Sequence, residues 1–131
     1  MQLDNAKSYC QSLNASQILP RSRQESDDLV LALVSLDLVQ VNGTTLVSVD
    51  IQKTKEGLWY DSSHQPVLYF NWLLNEPGDL NGSQRYASES YAGFRIDTVH
   101  GTAKWADYSG SDELNVVCTK KAGQGKKKIQ L

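Results

Sequence analysis

Asn71-Trp72-Leu73-Leu74-Asn75-Glu76-Pro77-Gly78-Asp79-Leu80-Asn81-Gly82-Ser83-Gln84 joins an apolar, aromatic run to a long polar stretch. Two glycines, a proline and side chains that hydrogen-bond their own backbone favour turns over helix. Long irregular connections in compact domains usually carry function. This one brings together Glu76, Asp79, Asn81 and Gln84, whose oxygen atoms suit a cation or a hydroxyl-rich ligand. Taken alone the stretch reads as a solvated turn, and its meaning comes from what surrounds it.

Upstream, Leu3, Ala6, Cys10 and Leu13 recur at helical spacing, which predicts a short amphipathic helix over 2–13. Pro20 stops any continuation, and Ser22-Arg23-Gln24-Glu25 has the form of a capping box ahead of an apolar run. A second helix is expected from Arg23 to Leu36, with Leu29, Leu33 and Leu36 on one face and Val30 and Val34 widening it. Val39–Val41 and Thr45–Ile51 read as strands joined by an Asn42-Gly43 hairpin turn. Leu58–Tyr60 and Val67–Trp72 continue the β-rich middle. Beyond the loop, short strands are expected at Arg85–Ala87, Gly93–Thr98, Thr102–Trp105 and Asn115–Thr119. Two helices followed by many short strands indicate an α+β fold rather than alternating α/β.

At 131 residues the chain has room for one domain, here 1–119, followed by a basic tail, 120–131, in which five lysines surround Ala122-Gly123-Gln124-Gly125. Lys126, Lys127 and Lys128 offer weak contact to a polyanion, Ile129–Leu131 could pair as an edge strand, and a solvated linker is the plainer reading of the tail. The formal charge of -2 argues against nucleic acid as a partner. No apolar run approaches the length of a membrane span, and no leader is expected before Leu3. The two cysteines, Cys10 and Cys118, stand near opposite ends; if they pair, the bridge closes nearly the whole chain. Asn14, Asn42 and Asn81 each begin a glycosylation sequon that is open to use in a secreted protein.

No enzyme constellation emerges. His64 and His100 lack metal-ligand partners at close spacing and read as solvated loop residues. No nucleophile elbow, phosphate loop or Cys-x-x-Cys pair occurs. The aromatic residues Trp59, Tyr69, Phe70, Trp72 and Trp105 read mainly as core. Tyr60, Tyr91 and Tyr108, nearer turns, are better placed to touch a partner.

Helix, helix, Asn71-Trp72, Glu76-Pro77, Trp105-Ala106-Asp107 and a closing Cys118, in that order, resemble the C-type lectin-like domain family from about Leu3 to Cys118. The resemblance implies a disulfide between Cys10 in the first helix and Cys118 in the last strand. It also implies a calcium and sugar site built from a Glu-Pro-Asn or Gln-Pro-Asp triplet, a later acidic residue and a Trp-Asn-Asp strand. Here Glu76 and Asp107 keep carboxylates, whereas Gly78, Gln84 and Ala106 stand at the remaining positions. The family's second disulfide would need cysteines where this chain has Tyr86 and Gly110, and its Trp-Ile-Gly-like core segment is echoed loosely by Val47-Ser48-Val49. Family domains begin with strands before the first helix; either the chain is trimmed there or residues 126–131 supply an edge strand instead.

The resulting expectation is a non-catalytic extracellular recognition module, secreted or part of an ectodomain, with no cofactor. It would bind a protein through Glu76, Asp79, Asn81, Gln84, Arg85, Tyr86 and Tyr108. One alternative is a calcium-dependent glycan binder using Glu76, Asp79, Asn81 and Asp107. The other is an architectural domain of a larger extracellular or membrane-anchored protein.

Overall fold

The computed structural model describes residues 1–54, 56–73, 89–121 and 127–130. Helix α1 (Leu3–Ser12) buries Leu3, Ala6 and Cys10, the face that their spacing predicts. It ends where Asn14 turns left-handed, at φ 54°, a conformation that asparagine tolerates, and Ala15 N–H returns to Cys10 O at 2.9 Å. A short strand, β1 (Ser16–Gln17), follows, and the sequence gives little sign of it. Helix α2 (Arg23–Ser35) starts as expected, the Ser22 side chain accepting from Glu25 N–H at 3.1 Å.

The buried face of α2 differs from expectation. Ser26 and Leu33 are buried and Leu29 and Val30 pack on the core, whereas Leu31, Val34 and Leu36 are exposed. The helix meets the sheet along the narrower line through Ser26, Leu29, Val30 and Leu33, and Leu36 lies past the last turn as its C-cap.

Four strands form the larger sheet, β2 (Thr44–Lys53), β3 (Trp59–Tyr60), β4 (Glu89–Asp97) and β5 (Thr102–Ser109), in the antiparallel order β3-β2-β4-β5. The smaller sheet has the order β1-β6-β7, with β6 (Cys118–Lys121) central and β7 (Lys127–Gln130) at its edge. β6 therefore runs through residues 119 and 120, where the composition turns basic, and part of the expected tail is its partner strand. The expected pairing of Cys10 with Cys118 is present and closes 108 residues of sequence. The core lies between α2, the larger sheet and the loop after β3, around Val47, Val49, Phe94, Ile96, Trp105 and Leu33.

Two expected strands do not form. Residues 39–41 make no hairpin with β2, because threonine side chains take up their backbone groups: Gln40 N–H donates to Thr45 Oγ1, and Thr98 Oγ1 donates to Gln40 O. At that end the partner of Thr44 is Asp97 instead. Val67–Trp72 forms only isolated contacts, Val67 N–H to Trp59 O and a single parallel bridge between Trp72 and Trp105. Tyr69 and Phe70 both set their rings against Trp105, at 6.0 Å between centroids. Consecutive side chains of a strand point to opposite faces, so this segment cannot keep strand alternation and also dress one indole.

Candidate functional site

The long loop leaves the sheet at Asn71–Leu73, and Trp105 fixes that exit. Leu73 N–H donates to Trp105 O and Trp105 N–H to Asn71 O, each at 2.8 Å. The Trp72 and Trp105 rings meet edge to face at 5.7 Å, Phe70 stacks on Trp72 at 5.5 Å, and Trp59 closes on Trp72 at 5.4 Å. The Asn71 side chain completes the clamp by donating to Ala103 O and accepting from Lys104 Nζ. Trp105 is fully buried, and its indole N–H has no acceptor among the described residues. Trp72 thus serves as the anchor that its place before the loop suggests.

Of the expected contact residues, Glu76, Asp79, Asn81, Gln84, Arg85 and Tyr86 lie outside the described residues, as do Asn81's sequon and Lys126. Tyr108 is half-buried on β5, opposite Tyr91, and its ring lies over Gly93. A Cβ on Gly93 would stand 2.3 Å from Leu114 Cδ2, 3.1 Å from Tyr108 Cε2 and 3.2 Å from Val47 O, so Leu114 first and the ring second pack where a side chain is missing. Asp107 is buried on β5 opposite Ala92, next to a buried Ala106 that brings no oxygen ligand. A Cβ at position 110 would meet the Asp4 carboxylate, so a side chain there requires that exposed carboxylate to turn away. Asn14 and Asn42 are exposed. Lys127 and Lys128 lie on β7 in register with Lys121 and Lys120.

The histidines do not converge on a metal site. His64 is exposed in the turn after β3, and His100 sits against Asp97 at 2.7 Å. That contact, with the His100 backbone N–H, holds the half-buried Asp97 carboxyl below its usual range. Among the described residues no group of three or more histidine, cysteine, aspartate or glutamate side chains is arranged to hold a metal ion.

A second site was not anticipated. The pairing of β2 with β4 slips between Val49 and Gln52, and the bulge leaves Asp50 buried, its N–H donating to Ile18 O. Asp50 lines a cavity of about 600 Å³ beside α1, the end of β2 and the turn at 61–65. Its Oδ2 accepts from Ser62 Oγ at 2.8 Å and from Ser62 N–H at 3.3 Å. Burial pushes the Asp50 carboxyl above its usual value, which Ser62 offsets in part. Burial acts the same way on neighbouring Asp61, but bonds from Arg21 and from the Gln65 and Ser63 N–H groups prevail and hold it low. Tyr91, which donates to Asp4 Oδ1 at 3.0 Å, is raised by burial and by that carboxylate. A carboxylate between Val49 and Ile51 was the available sequence signal, but plain strand alternation would send it to solvent.

The chain matches the family model described as the lectin C-type domain over residues 1–120. No curated protein matches its sequence. Among solved structures it resembles the mouse scavenger receptor C-type lectin carbohydrate-recognition domain, with a TM-score of 0.62 and 19% identity, covering 89% of this chain and 80% of that one. Human lithostathine gives 0.65 and 20%, covering 89% and 74%. The C-type lectin CEL-I from Cucumaria echinata gives 0.64 and 19%, covering 90% and 81%. These likenesses show the fold.

Proposed function

Because the chain belongs to the C-type lectin domain family, we propose that it is a non-catalytic extracellular recognition module that engages a protein partner without calcium-dependent sugar binding. The observation that carries this reading is Ala106, a buried methyl group where the related strand supplies an asparagine oxygen beside the aspartate. Gly78 removes a second oxygen and Gln84 a later charge. Calcium takes six to eight oxygen ligands at short range, and losses on two separate segments are not repaired by Asp107 alone.

What the scaffold supplies instead is a rigid exit for a long loop. The contact surface is the stretch from Asn75 to Gln84 with Arg85, Tyr86 and Tyr108 at its base. A loop held by a packed root presents side chains at low ordering cost. The disulfide supports an oxidising, extracellular setting. Among the described residues no helix is long and apolar enough to cross a membrane.

The test is thermal unfolding in millimolar calcium and again in excess chelator, because a ligand that binds only the folded state raises the midpoint. An unchanged midpoint is expected. A calcium-dependent rise that Asp107→Asn abolishes would overturn the reading in favour of glycan binding through Glu76, Asp79, Asn81 and Asp107. A structural neighbour, the C-type lectin domain of murine dendritic cell inhibitory receptor 2, was solved in complex with N-glycan.

A further inference from the structure

Asp50 is 8% exposed, and its Oδ1 accepts no hydrogen bond among the described residues. No described cation comes within 4.0 Å of it. Asp61, the other buried carboxylate at the cavity, is already paired with Arg21. Two lysines also line the space. The Lys53 ammonium stands 5.9 Å from the Trp59 ring centroid, and Lys7 exerts only the weakest of the influences on Asp50. Ile51, Leu58 and Tyr60 give the lining its apolar surface, and Glu56 adds a further carboxylate. Leu58 is 55% exposed, a large aliphatic side chain held at the edge of a concavity.

A desolvated carboxylate that keeps one acceptor oxygen unused gains most from a full positive charge with N–H donors. The aliphatic and aromatic part of the lining suits a hydrocarbon stem, and about 600 Å³ is the size of a small-molecule site. We propose that this cavity binds a primary alkylammonium group, with the ammonium on Asp50 Oδ1 and the alkyl stem against Ile51, Leu58 and Tyr60. A free amine and a lysine side chain of a peptide share this chemistry. The site uses none of the residues assigned to the loop surface, so it stands or falls separately from the protein-binding reading.

The experiment is a titration of the folded, disulfide-intact protein at neutral pH, followed by amide chemical shifts. The probes are n-butylammonium, 1-butanol, butyrate, and an N-acetylated peptide carrying one lysine, free or Nε-acetylated. Saturable shifts at Ile51 and Ser62 are expected with butylammonium, with binding weaker by roughly tenfold or more for butanol and absent for butyrate. Asp50→Asn should remove the preference for the amine over the alcohol, and Lys7→Gln should tighten amine binding by withdrawing a competing charge. A merely structural Asp50 would not predict the second effect. Saturation by butylammonium identifies a free-amine site, and saturation by the free-lysine peptide alone identifies a peptide site. Equal binding of butanol and butylammonium, a preference for butyrate, or a preference for the amine that Asp50→Asn leaves intact would overturn the proposal.

Discussion

The loop root at 71–73 and the turn at 61–65 are both irregular segments hung on the larger sheet, and they are held by different forces. The root is an aromatic cluster in which Phe70 and Trp72 converge on a buried Trp105 and Trp59 closes on Trp72. The turn is held by charge and hydrogen bonds: Arg21 on Asp61, Asp61 Oδ1 on the Ser63 and Gln65 N–H groups, and Ser62 on Asp50. Area burial and ring packing are indifferent to proton and salt concentration, whereas a bond to a half-exposed guanidinium is not. The molecule thus holds the root of its long loop by packing and keeps its titratable groups at the cavity.

The largest effect expected from breaking this contrast is at the root. Trp105→Ala should cost about 3–5 kcal/mol, a large part of the total stability of a domain this size. Trp72→Ala, at a half-buried position, should cost roughly half as much, with both losses constant across pH in denaturant titrations. A greater loss at Trp72 than at Trp105 would reverse the hierarchy drawn here. Arg21→Gln comes next, at about 1.5–3 kcal/mol for a hydrogen bond to a charged group, and unlike the tryptophan losses it should shrink in acid and in high salt.

The two carboxylates sharpen the contrast by opposite signs. The Asp61 pKa is depressed below 3.8 on folding, so its stabilising contribution is present above that value and is lost as pH falls through the lower folded value. Asp50 is raised above 3.8, so folding favours its protonated form, and the stability available in acid is lost as pH rises through the folded value. Asp61→Asn should therefore flatten the acid limb of the stability curve. Asp50→Asn should make the domain slightly more stable than the parent at neutral pH, with the gain vanishing in acid. Urea midpoints taken from pH 3 to neutrality read both. The smallest effect belongs to Ser48, whose fully buried hydroxyl has no hydrogen-bond partner among the described residues: Ser48→Ala should change stability by no more than about 1 kcal/mol, on the stabilising side.

The parts of the fold that could be read from sequence are those decided locally. Leu3, Ala6 and Cys10 mark a helical face whatever surrounds them, and the cap at Ser22 needs only Glu25 three residues on. The Cys10–Cys118 bridge was legible from the order of motifs that flank it, not from any local signal. Asn42-Gly43 misled because the threonines that capture this segment's backbone come from positions 45 and 98, and the second is distant in sequence. Val67–Trp72 misled because its aromatic residues answer to Trp105, more than thirty positions away. Asp50 was hidden for the same reason: a bulge is a property of two strands, and the slip against Tyr91 is not written in β2. On the loop side, Asp107 falls on β5 as the resemblance of Trp105-Ala106-Asp107 to a family strand implies, whereas Tyr108, read as lying nearer a turn, belongs to the same strand, which runs past its expected end at Trp105.

The bond between Cys10 and Cys118 also determines how the domain carries a mechanical load. Tension that enters the chain before Cys10 and leaves after Cys118 passes through the two sulfurs, by-passing the 108 residues of sequence separation between them. The larger sheet and the loop root lie inside that shielded circuit, as does the cavity apart from Lys7. A pull along the chain leaves the sheet and the root in shape until a reductant opens the circuit and the sheets bear the force themselves.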